Sequence, residues 1–389
     1  MKKFAVLFHG CRNVELIKDV GRIPYYLQHL FGYHSKIICY KNDDHYFYLE
    51  NEARGLEIEF IKKIRIPLLH ISPAIYLLNN SRNIDILNLY HFSLETVIYG
   101  IIYKTLNSGG TLYIKTDLSV SVFKRYGSQK IYKNRLLRSI EFILRWILQE
   151  WLIRLLISIS DIVSTETSPA LLLLQKRYPN QYRKIIYIPN GTTLTIDTEH
   201  SKNIISEKQN IIMTVGRIGA PEKNNRMLLY ACTKIHLQNW KVLFAGEITP
   251  EFRNEIDRVT KLHPSLENSL VLPGYISDRR ILEEYYLKSK VFCLTSNWES
   301  FGIVLVEALM AGNFIISTPI SSSNDITDFE KYGRIVDFDD NDMLADLLKK
   351  IINNEIDCTE YMQDGITYAK NRFYWPSIVN DLQENIETL

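Results

Sequence analysis

Short apolar runs alternate along most of the chain with stretches in which apolar positions recur every three or four residues. The first pattern predicts strands buried on both faces, and the second predicts amphipathic helices. In the first half, strands are expected at 4–9, 36–40, 58–61, 84–90, 111–115, 161–164 and 185–188, with helices near 23–30, 94–106, 134–157 and 169–177. In the second half, strands are expected at 211–215, 242–245, 270–272, 291–294 and 314–317, each followed by a helical stretch. Such alternation predicts an α/β protein with parallel sheets, here two Rossmann-like halves in tandem. A polar run from Pro189 to Asn210 opens with a Pro-Asn-Gly turn and has the composition of a linker. The first domain is therefore expected over 1–195 and the second over 196–373. The closing stretch, 374–389, sets Trp375, Ile378, Val379 and Leu382 on one helix face.

Composition narrows the class. Hydrophobic residues make up 46% of the 389 and charged residues 23%, the balance of a globular protein. A formal net charge of +2 gives no reason to expect nucleic acid as a partner. The cysteines, Cys11, Cys39, Cys232, Cys293 and Cys358, are scattered and odd in number, which suits reduced thiols in a cytosol. No uninterrupted apolar run approaches the about 18 residues of a membrane span. A cytoplasmic protein is expected.

The candidate chemistry centres on Ser-Asn-Trp-Glu-Ser-Phe-Gly-Ile-Val-Leu-Val-Glu-Ala-Leu-Met-Ala-Gly, from Ser296 to Gly312. A β-like run leads into a tight turn at Gly302 and then into a helix. The N–H groups of Gly302, Ile303 and Val304 open that helix, and free N–H groups with the macrodipole favour an anion. Glu299 and Glu307 suit hydroxyls instead, since a carboxylate accepts several hydrogen bonds. Phosphate beside polyol describes a sugar nucleotide. Earlier in the same half, Arg217 follows Val215-Gly216 at a strand end and Lys223 precedes a helix, so two cations are placed to neutralise a diphosphate.

Glu299, Phe301, Gly302, Glu307, Ala308 and Gly312 resemble the donor-site motif of retaining glycosyltransferases of family 4, which have the GT-B fold of two Rossmann-like domains facing each other across a crevice. The resemblance implies that Arg217 and Lys223 bind the diphosphate and stabilise the departing nucleotide. It places Glu299 on the donor sugar, Glu307 on the ribose, and Phe301 and the Gly302–Val304 backbone beside them. Gly216, Gly246 and the backbone at Tyr275 and Ile276 fall where relatives hold phosphate and base. Asn190, in the Pro-Asn-Gly turn, falls at the crevice, and the helix over 374–389 is expected to cross back and complete the first domain.

The first half departs further from the family. The Gly-Gly loop of relatives corresponds to Asp19-Val20-Gly21-Arg22, with Gly21 able to approach donor phosphates or simply make a turn. Where relatives have His-Asp after the fifth strand, this chain has Thr116-Asp117. Asp117 is an acceptor for a sugar hydroxyl, a base toward the acceptor, or a cap, and His91 is either an acceptor-side ligand or structural. No carboxylate cluster calls for a metal, and the cationic pair makes one unnecessary, so no cofactor is expected beyond the nucleotide sugar. Basic residues Lys124, Arg125, Lys130, Lys133, Arg135, Arg138, Arg145 and Arg154 interleave with Trp146 and Trp151 over 124–157, a pattern that suits either a membrane interface or a helix packed on both sides.

The sequence thus reads as a retaining hexosyltransferase. It moves a sugar from a nucleoside diphosphate sugar to a glycan or lipid-linked glycan in bacterial cell-surface polysaccharide synthesis, peripheral at the inner face of the membrane. A GT-B subunit without activity that supports a partner enzyme is one rival, and a GT-B sugar phosphorylase is another.

Overall fold

The computed structural model describes residues 1–66, 69–118, 136–194 and 203–388, and within 136–146 the backbone alone. The chain forms two compact units, Met1–Gly191 with Trp375–Leu389, and Thr192–Tyr374. Each is a Rossmann-like α/β unit on a parallel sheet.

The first sheet contains β1 (Lys3–Leu7), β2 (His34–Cys39), β3 (Glu57–Phe60), β4 (Ile86–Tyr90), β5 (Thr111–Thr116), β6 (Ile162–Thr165) and β7 (Ile185–Tyr187). Their spatial order is β3-β2-β1-β4-β5-β6-β7, every pair parallel. Alternate residues of β1 serve opposite faces: Phe4 and Val6 join one core cluster, Ala5 and Leu7 the other. That two-sided burial makes the strands nearly continuous apolar runs.

Helix α1 (Asp19–Phe31) covers one face and closes at Gly32, whose left-handed φ of 67° needs no Cβ. The opposite face is covered by α2 (Ile71–Asn80), α3 (Leu94–Leu106), α4 (Leu136–Ile159) and α5 (Ser168–Arg177). Ser93 caps α3 by accepting from the Thr96 N–H at 3.1 Å, and Thr167 caps α5.

The second sheet contains β8 (Gln209–Val215), β9 (Lys241–Ala245), β10 (Leu270–Gly274), β11 (Ser289–Leu294), β12 (Phe314–Ser317) and β13 (Gly333–Ile335), in the order β10-β9-β8-β11-β12-β13. The edge strand β13, short and half exposed, carries too little apolar pattern to be read from sequence. Helices α6 (Asn225–Thr233), α7 (Pro250–Leu262), α8 (Arg279–Lys288), α9 (Ile303–Met310), α10 (Ser323–Thr327), α11 (Asn341–Ile352) and α12 (Met362–Phe373) surround it. Val291 and Cys293 point into one cluster, and Phe292 and Leu294 into the other.

The final helix, α13 (Trp375–Glu387), belongs to the first unit. Trp375, Ile378, Val379 and Leu382 are buried with Phe4, Ile23 and Leu27. Gln383 accepts from the Tyr33 hydroxyl at 2.9 Å.

Of the basic segment, Lys124, Arg125, Lys130, Lys133 and Arg135 lie outside the described residues, as do the side chains of Arg138, Arg145 and Trp146. The described end of α4 leaves Ile147, Leu148 and Trp151 exposed and pairs Glu150 with Arg177 at 2.8 Å. No helix among the described residues is long and apolar enough to cross a membrane.

Because α13 completes the first core, Leu382→Ala should cost about 2–5 kcal/mol, the usual penalty for emptying a fully buried leucine site. Urea denaturation checks this, and a loss below about 1 kcal/mol would show that the helix is not part of the folded unit.

Candidate active site

In the second sheet, β8 and β11 are neighbours although they are not consecutive, so the connections on their two sides leave in opposite directions. Doubly wound sheets bind ligands at the carboxyl ends of such strands. Three glycines shape this edge. Gly216 follows β8 with φ 146° and Gly246 follows β9 with φ 141°. A Cβ on Gly246 would stand 1.8 Å from the Gly216 carbonyl oxygen, so these strand ends meet only because Gly246 carries no side chain. The Gly246 N–H donates to the carbonyl of Gly274, the end of β10, at 2.9 Å. Beyond Gly274, Tyr275 is exposed while Ile276 packs against the core.

The loop leaving β8 carries both predicted cations. Arg217 is exposed and ion-paired with Glu222. Lys223 lies beside Gly216, and its Nζ is 2.5 Å from Glu299 Oε1, both side chains being mostly buried. The Ser296 hydroxyl donates to the same carboxylate oxygen at 2.7 Å. Two further bonds hold the loop to the end of β11: the Asn297 N–H donates to the Glu222 carbonyl at 2.8 Å, and the Thr295 hydroxyl to that of Asn224 at 2.9 Å. The structure therefore brings Gly216, Lys223 and Glu299 together, although the lysine and glutamate lie on loops far apart in the sequence.

Helix α9 begins at Gly302, whose φ is 82°, and no side chain caps it. Ile303 and Val304 form its first turn, which holds no acidic residue. Phe301 is buried in the core against Phe373, and its carbonyl accepts from the Ser322 hydroxyl, so its ring shapes the turn from behind. Glu307 is 6% exposed. It accepts from Arg279 at 2.6 Å and from the Tyr286 hydroxyl at 3.0 Å. Burial opposes the Arg279 charge, but Glu307 outweighs it and raises the guanidinium above its ordinary value. Burial first, then the Glu307 charge, pushes the Tyr286 hydroxyl well up. The sequence reading missed Arg279, Tyr286 and Ser296. Ser296 precedes Glu299 by three residues and was open to notice, whereas nothing local ties Arg279 to Glu307.

In the first unit, Gly21 lies inside α1 rather than in a loop after the first strand. A Cβ there would stand 2.2 Å from the Leu16 carbonyl oxygen, so its small size serves the entry into the helix. His91 and Asp117, read separately from sequence, meet: His91 Nδ1 is 2.8 Å from Asp117 Oδ1. Burial alone would lower the imidazole, but the hydrogen bond and charge of Asp117 raise it above its ordinary value. The same pairing outweighs burial at Asp117 and holds its carboxyl below the usual range.

Thr116 ends β5 and is buried. Next to it, Lys115 is also buried, donating to the Ile188 carbonyl at 3.0 Å with Glu166 Oε1 at 3.6 Å and Asp19 Oδ2 at 4.0 Å. Burial pushes the Glu166 carboxyl up to about 7. Asn190 is buried nearby and counteracts that rise by hydrogen bonding. The sequence reading passed over Lys115 and Glu166, although a lysine inside the apolar run Leu-Tyr-Ile-Lys is itself a signal.

Residues 195–372 match the model of a family described as glycosyl transferases group 1. The amylovoran biosynthesis glycosyltransferase AmsD of Erwinia amylovora is 31% identical over 158 residues, 39% of this chain and 41% of the relative. A Campylobacter jejuni enzyme, named as an alpha-1,4-N-acetyl-D-galactosaminyltransferase acting on a GalNAc-containing diNAcBac-PP-undecaprenol, is 29% identical over 170 residues, 43% of this chain and 44% of its own. The chain thus spans less than half the length of these curated relatives.

Solved structures match over the whole chain. The lipopolysaccharide outer core galactosyltransferase WaaB, in its apo form, aligns with TM-score 0.70 at 16% identity, covering 100% of this chain and 99% of that one. HepE of Anabaena in complex with UDP aligns with TM-score 0.69 at 15% identity, covering 100% of both. These likenesses give the chain the GT-B fold.

The His91–Asp117 pair yields a pH test. A raised His91 contributes stability that is full below about 6.5, its unfolded value, and is lost as pH climbs through the folded value. A depressed Asp117 contributes stability present above about 3.9 and lost as pH falls through its lowered value. The pair therefore acts between the depressed carboxyl and the raised imidazole. Asp117→Asn should lower the His91 pKa, read from its imidazole proton shifts by NMR. An unchanged titration would mean that the two do not pair in solution.

Proposed function

We propose that the protein is a glycosyltransferase that moves a sugar from a nucleoside diphosphate sugar to an acceptor hydroxyl, with retention of configuration. The observation that carries this reading is the Lys223–Glu299 pair beside the uncapped start of α9. Without ligand, the carboxylate holds the lysine. A diphosphate exchanges partners with it: Lys223 turns to phosphate, and Glu299 is released to accept from hydroxyls of the donor sugar.

Arg217 makes the same exchange with Glu222 and closes on the diphosphate through its planar fork. As the bond from the anomeric carbon to the phosphate oxygen breaks, negative charge grows on the leaving diphosphate. Arg217, Lys223 and the N–H groups from Gly302 to Val304 stabilise it. Glu307, held in one orientation by Arg279 and Tyr286, accepts from the ribose hydroxyls. Gly216 and Gly246 let the backbone approach the phosphates, and the main chain at Tyr275 and Ile276 receives the base. With two cations and a helix start on the diphosphate, the step uses no metal. Retention follows the family that the stretch from Glu299 to Gly312 resembles.

On the acceptor side, Asp117 fixes His91 through Nδ1 and leaves Nε2 for an acceptor hydroxyl, with Thr116 beside them. The acceptor is a glycan or lipid-linked glycan of a cell-surface polysaccharide. The names of the relatives from Erwinia amylovora and Campylobacter jejuni support this. So does the outer surface of the first unit. Ile75 and Leu78 on α2, Leu94 and Ile101 on α3, and Ile147, Leu148 and Trp151 on α4 are exposed on helices that pack side by side. Exposed Lys62, Lys63 and Arg65 stand just before α2. Apolar side chains beside cations suit the cytosolic face of an anionic membrane.

UDP, GDP or ADP should stabilise the protein in EDTA, whereas inorganic phosphate alone should not. At about 100 times its Kd a ligand adds about 2.7 kcal/mol, readable as a melting shift. Lys223→Met should abolish most of that shift, and a shift that needs divalent metal would refute the metal-free donor site. With the responding donor sugar supplied, anomeric NMR of the product tests retention.

A separate test addresses the membrane. The triple change of Lys62, Lys63 and Arg65 to Gln should weaken binding to anionic vesicles about a hundredfold at low salt, each cation contributing about 1 kcal/mol. Wild-type protein that fails to co-sediment with those vesicles removes the membrane reading.

A further inference from the structure

A second constellation in the first unit is made of residues given no role above. We infer that His9, His70 and Glu95 form a divalent-cation site that takes zinc. Each comes from a different element: His9 just after β1, His70 immediately before α2, and Glu95 in the first turn of α3. One ligand atom from each lies within 4.8 Å of the other two, and all three residues are partly buried. The two imidazoles meet edge to face with centroids 4.0 Å apart.

Ordinary packing leaves this arrangement incomplete. The Nδ1 of His70 is buried without a hydrogen-bond partner. Glu95 Oε1 stands 3.5 Å from it, at the limit of hydrogen-bond range, and also accepts from the His70 backbone N–H at 2.6 Å. The carboxylate and the ring are therefore fixed close together by the main chain, with a nitrogen lone pair or proton left unused. The Tyr99 hydroxyl donates to the His70 carbonyl at 2.6 Å and fixes the same backbone from the other side.

The donor chemistry suits zinc. Two imidazoles and a glutamate make the ligand set of open tetrahedral zinc sites, with a fourth position for water or an anionic oxygen. Zinc bonds of about 2.0–2.2 Å require donors about 3.3 Å apart, so the side chains must close in by about 1–1.5 Å, within reach of small rotations about χ1 and χ2. Tyr40 flanks both rings, at 5.7 Å from His9 and 5.6 Å from His70, and limits how far they can swing away. The site couples the carboxyl end of β1 to the starts of α2 and α3. It is independent of nucleotide binding, which was assigned to the second unit.

The protein, stripped with EDTA and dialysed, is titrated with Zn2+ and separately with Co2+. The expected result is one equivalent of zinc, a higher melting temperature, and a cobalt adduct with the intense ligand-field bands of a four-coordinate nitrogen–oxygen site. His9→Ala and His70→Ala should each weaken zinc binding at least about a hundredfold, Glu95→Gln less, and His263→Ala, an exposed histidine elsewhere, not at all.

No bound equivalent in the wild type overturns the site. So does undiminished binding in the His9 and His70 variants, or a cobalt spectrum of octahedral, surface-bound metal. The wild-type cobalt spectrum decides even where a variant fails to fold. A nucleotide melting shift that persists in EDTA stands or falls separately.

Discussion

The second unit is organised by one ion pair across its sheet edge, Lys223 Nζ to Glu299 Oε1 at 2.5 Å. It joins the loop leaving the first strand of that sheet to the turn leaving the fourth, the two ends that flank the change of direction. Everything nearby narrows the freedom of those two groups. Ser296 donates to the carboxylate, Thr295 and Asn297 hold the lysine's loop by its backbone, and the lysine stem runs over a glycine with no side chain. A mostly buried pair of this kind contributes little net stability, because desolvation offsets attraction. Its consequence is preorganisation: both groups are already placed and dehydrated, and either can be traded for a ligand atom of the same charge.

That arrangement explains which parts of the molecule were legible. Strands whose residues alternate between two cores leave a continuous apolar run, so most were found from pattern alone, and β13, short and at the edge, was not. Gly216, Gly246 and Gly302 announce themselves because their positive φ values admit few other residues. Glu299 and Lys223 are visible as a motif and a spacing, but their contact is a tertiary fact. Arg279 shows the boundary of legibility. Its importance comes from facing Glu307 across two helices, and nothing in its neighbours along the chain distinguishes it from the adjacent, fully exposed Arg280. Phe301 errs in the other direction. It lies inside the recognisable stretch, yet its ring is core and only its backbone borders the turn.

The first unit solves a different problem with the same order in its first six strands. Its sheet edge is built from side chains rather than glycines, and several are charged. Lys115 is fully buried with two carboxylates in reach, Asp19 and Glu166. One ammonium cannot neutralise both, and a second unpaired negative charge in an apolar surrounding is too costly to keep. The conflict is resolved at Glu166, the more deeply buried of the two, whose carboxyl moves up to about 7 while Lys115 and Asn190 still draw it down. Glu166 sits beside the strand that ends in Thr116 and leads to Asp117 and its partner His91. The electrostatic state of that edge follows the charge on Glu166, since both His91 and Asp117 feel the same buried cluster. A sheet end lined with glycine would have been simpler to fold. One lined with a shared cation is adjustable, and this places the adjustable chemistry in the unit where the sequence departs most from the pattern of the family it resembles.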